Sequence, residues 1–139
     1  MATVPTCRYT EKDLRRCLRF LRDEAPIIIH VSMQRALKFP VQDTHYRNQF
    51  ETGTSGGTLN SNSRTSWEDR LFNKYYHDST PFDRCKYGVF NVVNDPHGVS
   101  NCSNYGESYL VLKNVRLRTS FADMDSSSAS TSLATCEVR

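Results

Sequence analysis

The sequence predicts an α+β domain in which N-terminal helices precede a strand-rich half forming an antiparallel or mixed β-sheet. Three observations carry that prediction. Residues 11–24 repeat apolar side chains at helical spacing, "IIIHV" is a β-branched run directly after Pro26, and beyond Tyr87 short apolar runs alternate with turn residues.

The first helix is expected over about residues 11–24. Thr10 can cap it, with Asp13 three residues on in a capping-box variant, and Leu14, Cys17, Leu18 and Leu21 form one apolar stripe. Glu11 and Asp13 in the first turn suit the positive end of the helix dipole. Pro26 ends this helix, and "IIIHV" has the length and β-branching of a buried strand. Ser32 reads as the cap of a short helix through Phe39, stopped by Pro40. Residues 41–50 select no period, though a short strand ending near Arg47 fits. The Gly/Ser/Thr/Asn tract 52–63 reads as loop.

A second long helix is expected after Ser63 or Ser66, with Trp67, Leu71 and Phe72 on one side, and "HDSTPFDRCK" returns to loop. "YGVFNVV", "ESYLVLK" and "VRLRTSF" read as strands, with "NDPHG" as a turn and Asn114 as a turn or bulge. "DMDSSSASTSLATCEVR" carries no strand or helix signal strong enough to pack, so the chain is expected to lack a final sheet strand and to expose an unpaired edge. The domain organisation that follows is a flexible segment over residues 1–9, one α+β domain over 10–124, and a polar tail over 125–139.

A chain of 139 residues, 37% hydrophobic and 24% charged, is of ordinary single-domain composition. The formal net charge of +3 is too small to argue for nucleic acid, and the arginines at 15, 16, 19 and 22 read as a solvated helix face. Five scattered cysteines form no CxxC pair and no cluster with the four histidines, which points to reduced thiols in an intracellular, cytoplasmic setting and to no metal site. The N-terminus has no apolar core, and "PIIIHV" is too short to span a bilayer, so no membrane partner is expected.

No nucleophile elbow and no Cys–His arrangement is present. His30 reads first as a hydrogen-bonded core histidine, and His77 and His97 as exposed turn residues. The tract "GTSGG" is neither a P-loop nor a Rossmann turn, although its backbone N–H groups could meet a phosphate. The stronger combination is Arg47, able to grip a pyrophosphate through two parallel hydrogen bonds, beside Tyr46 and Phe50, able to stack on a flat ring. Thr119 and Ser120, in an expected strand, could bond a ribose. A surface ion pair for Arg47 and ordinary strand propensity for Thr119 explain the same residues on spacing alone.

The segments "APIIIHV", "DTHYRNQFETGTSGGTL", "WEDRLF", "PFDRCKYGVFNVVNDPHGV" and "NYGESYLVLKNVRLRTSF", with the Asp-Ser after them, resemble the uncharacterised C-terminal module of animal neuralized-like proteins. A bacterial family of unknown function, with "KYGALN"-like and "YG-S-xLxL…RxTF…DS"-like segments, is a more distant resemblance. That module is in turn similar to the ADP-ribosyltransferase-like fold. The resemblance implies a split sheet with an NAD-binding cleft. It makes Arg47, or its rival His30, the early-strand clamp with Tyr46 beside it, and Thr119 with Ser120 the middle-strand pair. A catalytic glutamate on a late strand is implied as well, to stabilise positive charge at the anomeric carbon as nicotinamide leaves. No late "E-x-Q-I-H-G"-like strand occurs here, and Glu137 stands two residues from the end. The expectation is therefore a transferase-like domain without turnover and with weak or absent NAD binding, or alternatively a non-enzymatic module that grips a protein partner. Self-association through the unpaired edge is also expected.

Overall fold

The computed structural model describes residues 9–36, 43–54, 60–129 and 133–136. Helix α1 spans Glu11–Asp23 and starts as its capping box requires: Thr10 Oγ1 accepts from the Asp13 N–H, and Asp13 Oδ2 accepts from the Thr10 N–H. None of its residues is buried, and Leu14, Cys17 and Leu18 of the apolar stripe are exposed. Its C-terminal end is held from elsewhere. The Arg116 guanidinium donates to the carbonyls of Leu21 and Arg22, which the helix end leaves without intrahelical partners, and to that of Ala25 just beyond it.

Strand β1, Ile27–Val31, is buried at every position and forms the centre of a three-stranded sheet. Both neighbours are antiparallel: β2, Val89–Phe90, on one side and β3, Ser108–Val111, on the other. A central strand buried on both faces has no polar alternation, which is why "IIIHV" is continuous rather than periodic. A separate two-stranded ribbon pairs β4, Ser120–Phe121, with β5, Ala134–Thr135. The observed class is thus α+β with antiparallel sheets.

Several local expectations are corrected. Short helices α2, Met33–Ala36, and α3, Gln49–Thr52, flank a stretch of which 37–42, including Phe39, Pro40 and Val41, lies outside the described residues. Arg47 ends no strand, because Asn48 caps α3: its Oδ1 accepts from the N–H groups of Phe50 and Glu51, and Glu51 reaches back to the Asn48 N–H. Helix α4 runs Ser61–Leu71, earlier than expected, because Asn60 caps it through the Ser63 N–H. Its inward stripe is Arg64, Glu68 and Leu71 rather than an apolar face. Residues 116–118 form a 3₁₀ turn, so Thr119 follows that turn and only Ser120 lies in a strand. The segment after Asp125 does pack, contributing β5 and burying Ala129 and Cys136.

Candidate functional site

His30 has both ring nitrogens engaged. Nδ1 lies 2.8 Å from the Gly106 carbonyl and Nε2 lies 2.9 Å from the Val99 N–H. A carbonyl only accepts and an amide N–H only donates, so the proton sits on Nδ1 and Nε2 is the acceptor. The buried imidazole therefore ties β1 to both ends of the 3₁₀ segment Ser100–Tyr105. Two glycines make room for this. A Cβ on Gly98 would come within 2.5 Å of His30 Nε2, and one on Gly106, at φ +146°, would overlap the Val31–Ser32 peptide.

The other four predicted residues divide into two places. Tyr46 and Arg47 lie just before α3, where Arg47 Nη2 is 2.7 Å from Asp43 Oδ1 and the guanidinium side chain stays 39% exposed. Thr119 Oγ1 donates to the Val115 carbonyl at 2.8 Å, while Ser120 is exposed in β4 opposite Thr135. The "GTSGG" tract from Ser55 onward falls outside the described residues. None of the five residues lines the crevice of Phe121, Ala122, Asp123, Leu133 and Ala134, or the one that includes Val111 and Leu117.

Three polar clusters surround the α3–α4 region. Glu68, 0% exposed, is paired with Arg84, 9% exposed, at 2.7 Å, and also accepts from Tyr87 Oη and Cys85 Sγ. Arg84 lies over the Phe50 ring at 4.3 Å and donates to the His77 carbonyl. Burial, and then the Glu68 carboxylate, push the Cys85 thiol up to about 12, so this cysteine is no nucleophile at neutral pH. Burial likewise raises the Tyr87 phenol.

In the second cluster Glu51 joins His45, Lys86 and its own capping contact. Burial pushes its carboxyl up, but the Asn48 N–H, His45 and Lys86 together outweigh that and hold it below the usual range. In the third, His77 Nδ1 donates to Asp69 at 2.8 Å. Among the described residues no hydroxyl or thiol is hydrogen-bonded to its Nε2. No group of three His, Cys, Asp or Glu among the described residues could hold a metal ion. These clusters clamp α3 and the 77–87 loop onto α4. Asn48 completes the clamp by donating to the Pro81 carbonyl.

A surface of different character lies along β3. Leu112 donates to the Ile27 carbonyl, so the pairs Ile27–Leu112, Ile29–Leu110 and Val31–Ser108 face each other through hydrogen bonds. Alternation then turns the N–H and C=O groups of Tyr109 and Val111 away from β1. Among the described residues no strand pairs with that outer edge. Beside it opens a crevice of about 540 Å³ lined by Pro26, Ile27, Val111, Leu112 and Leu117, with Glu24, Asn114 and Arg116 at its polar margin. Val111 is 53% exposed and Leu117 79%. Reading the sequence for strands found β3 but missed this edge. The available signal was charge: the stretch 108–121 holds Lys113, Arg116 and Arg118 and no carboxylate, while the fifteen basic and fifteen acidic residues elsewhere cancel.

No helix among the described residues is long and apolar enough to cross a membrane. Cys17, Cys85, Cys102 and Cys136 are unbridged. No curated protein and no solved structure matches the chain. A family model described as a protein of unknown function (DUF3626) matches residues 26–138, a span that takes in both sheets, the His30 tie and the clamp on α4, and begins just after α1. By that match the chain belongs to the DUF3626 family.

Proposed function

We propose that this domain is a non-enzymatic, protein-binding module whose working surface is the outer edge of β3 and the crevice beside it. The observation that carries this reading is the coincidence of outward backbone groups at Tyr109 and Val111 with exposed apolar side chains at Val111 and Leu117. An open strand edge is a template for another chain, and an apolar crevice beside it adds side-chain contacts. Unbridged cysteines support placing it in a reducing, intracellular compartment such as the cytoplasm.

Kinship with the neuralized-like C-terminal module, and through it with ADP-ribosyltransferases, is the second reading and rests on the quoted segments. One geometric feature favours it: the Arg47 side chain is 39% exposed beside the partly exposed Tyr46 ring, a pair able to meet a phosphate and a flat base. NAD would then be the ligand, with Thr119 and Ser120 as further contacts and His30 in a supporting role. Against turnover stands the engagement of the His30 nitrogens and the Thr119 hydroxyl within the chain. Purified protein incubated with NAD labelled in the nicotinamide ring is expected to release no nicotinamide above buffer. Release that disappears in Arg47→Ala would overturn the module reading.

A further inference from the structure

Taking the module reading as its base, we infer that the β3 edge takes an extended acidic peptide segment of a partner protein as an added strand. Two backbone sites are ready for it. Tyr109 and Val111 each turn one N–H and one C=O outward, at the spacing with which a neighbouring strand repeats its own outward groups. Side chains of an added strand alternate between faces, so every second residue can settle over the crevice of Pro26, Ile27, Val111, Leu112 and Leu117.

Charge selects the partner. The stretch from Ser108 to Phe121 carries three cations and no carboxylate, and so holds the whole net charge of +3. Arg116 is engaged with the carbonyls at the end of α1, which leaves Lys113 and Arg118, both exposed, to face a ligand. Arg118 makes a long bond to the Asn114 carbonyl at 3.4 Å. Among the described residues Glu24 is the one carboxylate lining the crevice. A segment alternating apolar and acidic residues meets all three features together: backbone, crevice and cations.

The probe is a fluorescein-labelled octapeptide alternating Val and Glu, with its Val/Lys counterpart as control, read by fluorescence anisotropy. Binding of the acidic peptide is expected, weakening as salt rises, with none of the basic one. Val111→Pro removes an outward N–H and leaves the β1–β3 bonds in place, so affinity should fall at least tenfold. Lys113→Glu with Arg118→Glu should do the same. Leu117→Ser, at a largely exposed position, supplies a weaker-binding variant that cannot owe its effect to unfolding. Circular dichroism checks the fold of each.

No binding of the acidic peptide, equal binding of the basic one, or full affinity in all these variants would overturn the inference. A concentration-dependent dimer that Val111→Pro abolishes would also overturn it, by making a second copy the occupant. Nicotinamide release would overturn the module reading itself. Silence in both assays overturns only the acidic peptide.

Discussion

Replacing Arg84 by Met tests the buried clamp that joins α4 to the 77–87 loop. Glu68 is fully buried and Arg84 nearly so, at 2.7 Å, and removing the guanidinium leaves a carboxylate in the core that keeps the Tyr87 hydroxyl and the weak Cys85 thiol as donors. Breaking one side of such a pair costs about 3–5 kcal/mol. A further loss of about 0.5–2 kcal/mol is expected where Arg84 stacks on Phe50. Total stabilities of small domains are about 5–15 kcal/mol, so Arg84→Met should lose a large share of its stability and unfold at a far lower urea concentration than the parent. Glu68→Leu added to Arg84→Met removes the stranded charge and should recover most of the loss. Trp67, the only tryptophan, adjoins Glu68 on α4 and reports urea unfolding by fluorescence. A loss below about 1 kcal/mol in the single variant, or a double variant no better than the single, would refute a buried, mutually dependent pair.

Three further outcomes follow from the same structure. Gly106→Ala combines a positive φ with overlap on the Val31–Ser32 peptide and should abolish the folded state, seen as loss of the cooperative Trp67 transition. Glu51 has its folded carboxyl held below the unfolded value of 4.5, so its contribution is complete above that pH and is lost as pH falls through the lower folded value. Urea midpoints from pH 6 to pH 3 should therefore fall less steeply in Glu51→Gln than in the parent. Cys85, raised from 9.0 to about 12, contributes stability fully present below pH 9 and lost as pH rises toward 12. Iodoacetamide at pH 8 should modify exposed Cys17 and spare Cys85, as peptide mapping would show.

What the sequence made legible were elements whose signal is local. Thr10 with Asp13 announces α1, and three consecutive isoleucines after a proline announce β1. Asn48 with Glu51 is the same capping signal as Thr10 with Asp13, and it marks α3 where a strand end was expected. Helix α4 was harder, since it buries Arg64 and Glu68, and hydrophobic periodicity is blind to a helix whose inward face is charged. Thr119 looked like a strand residue by propensity, yet it follows the 3₁₀ turn of Arg116–Arg118, whose Arg116 reaches back to the end of α1, a distant contact that local propensity does not encode. The engagement of His30 depends on Val99 and Gly106, about seventy residues on, which no local pattern encodes. The charge of residues 108–121 marks the segment, but which edge of β3 is open is a matter of strand order and hydrogen-bond parity, which only the three-dimensional structure gives.

The most direct test of the binding-edge account is a ¹H–¹⁵N spectrum of the labelled protein titrated separately with the acidic octapeptide and with NAD. The account predicts that the peptide shifts the amides of Tyr109, Val111, Lys113 and Leu117, and that NAD leaves the spectrum unchanged. Shifts induced by NAD at Arg47, Tyr46 and Thr119, with β3 silent toward the peptide, would contradict it.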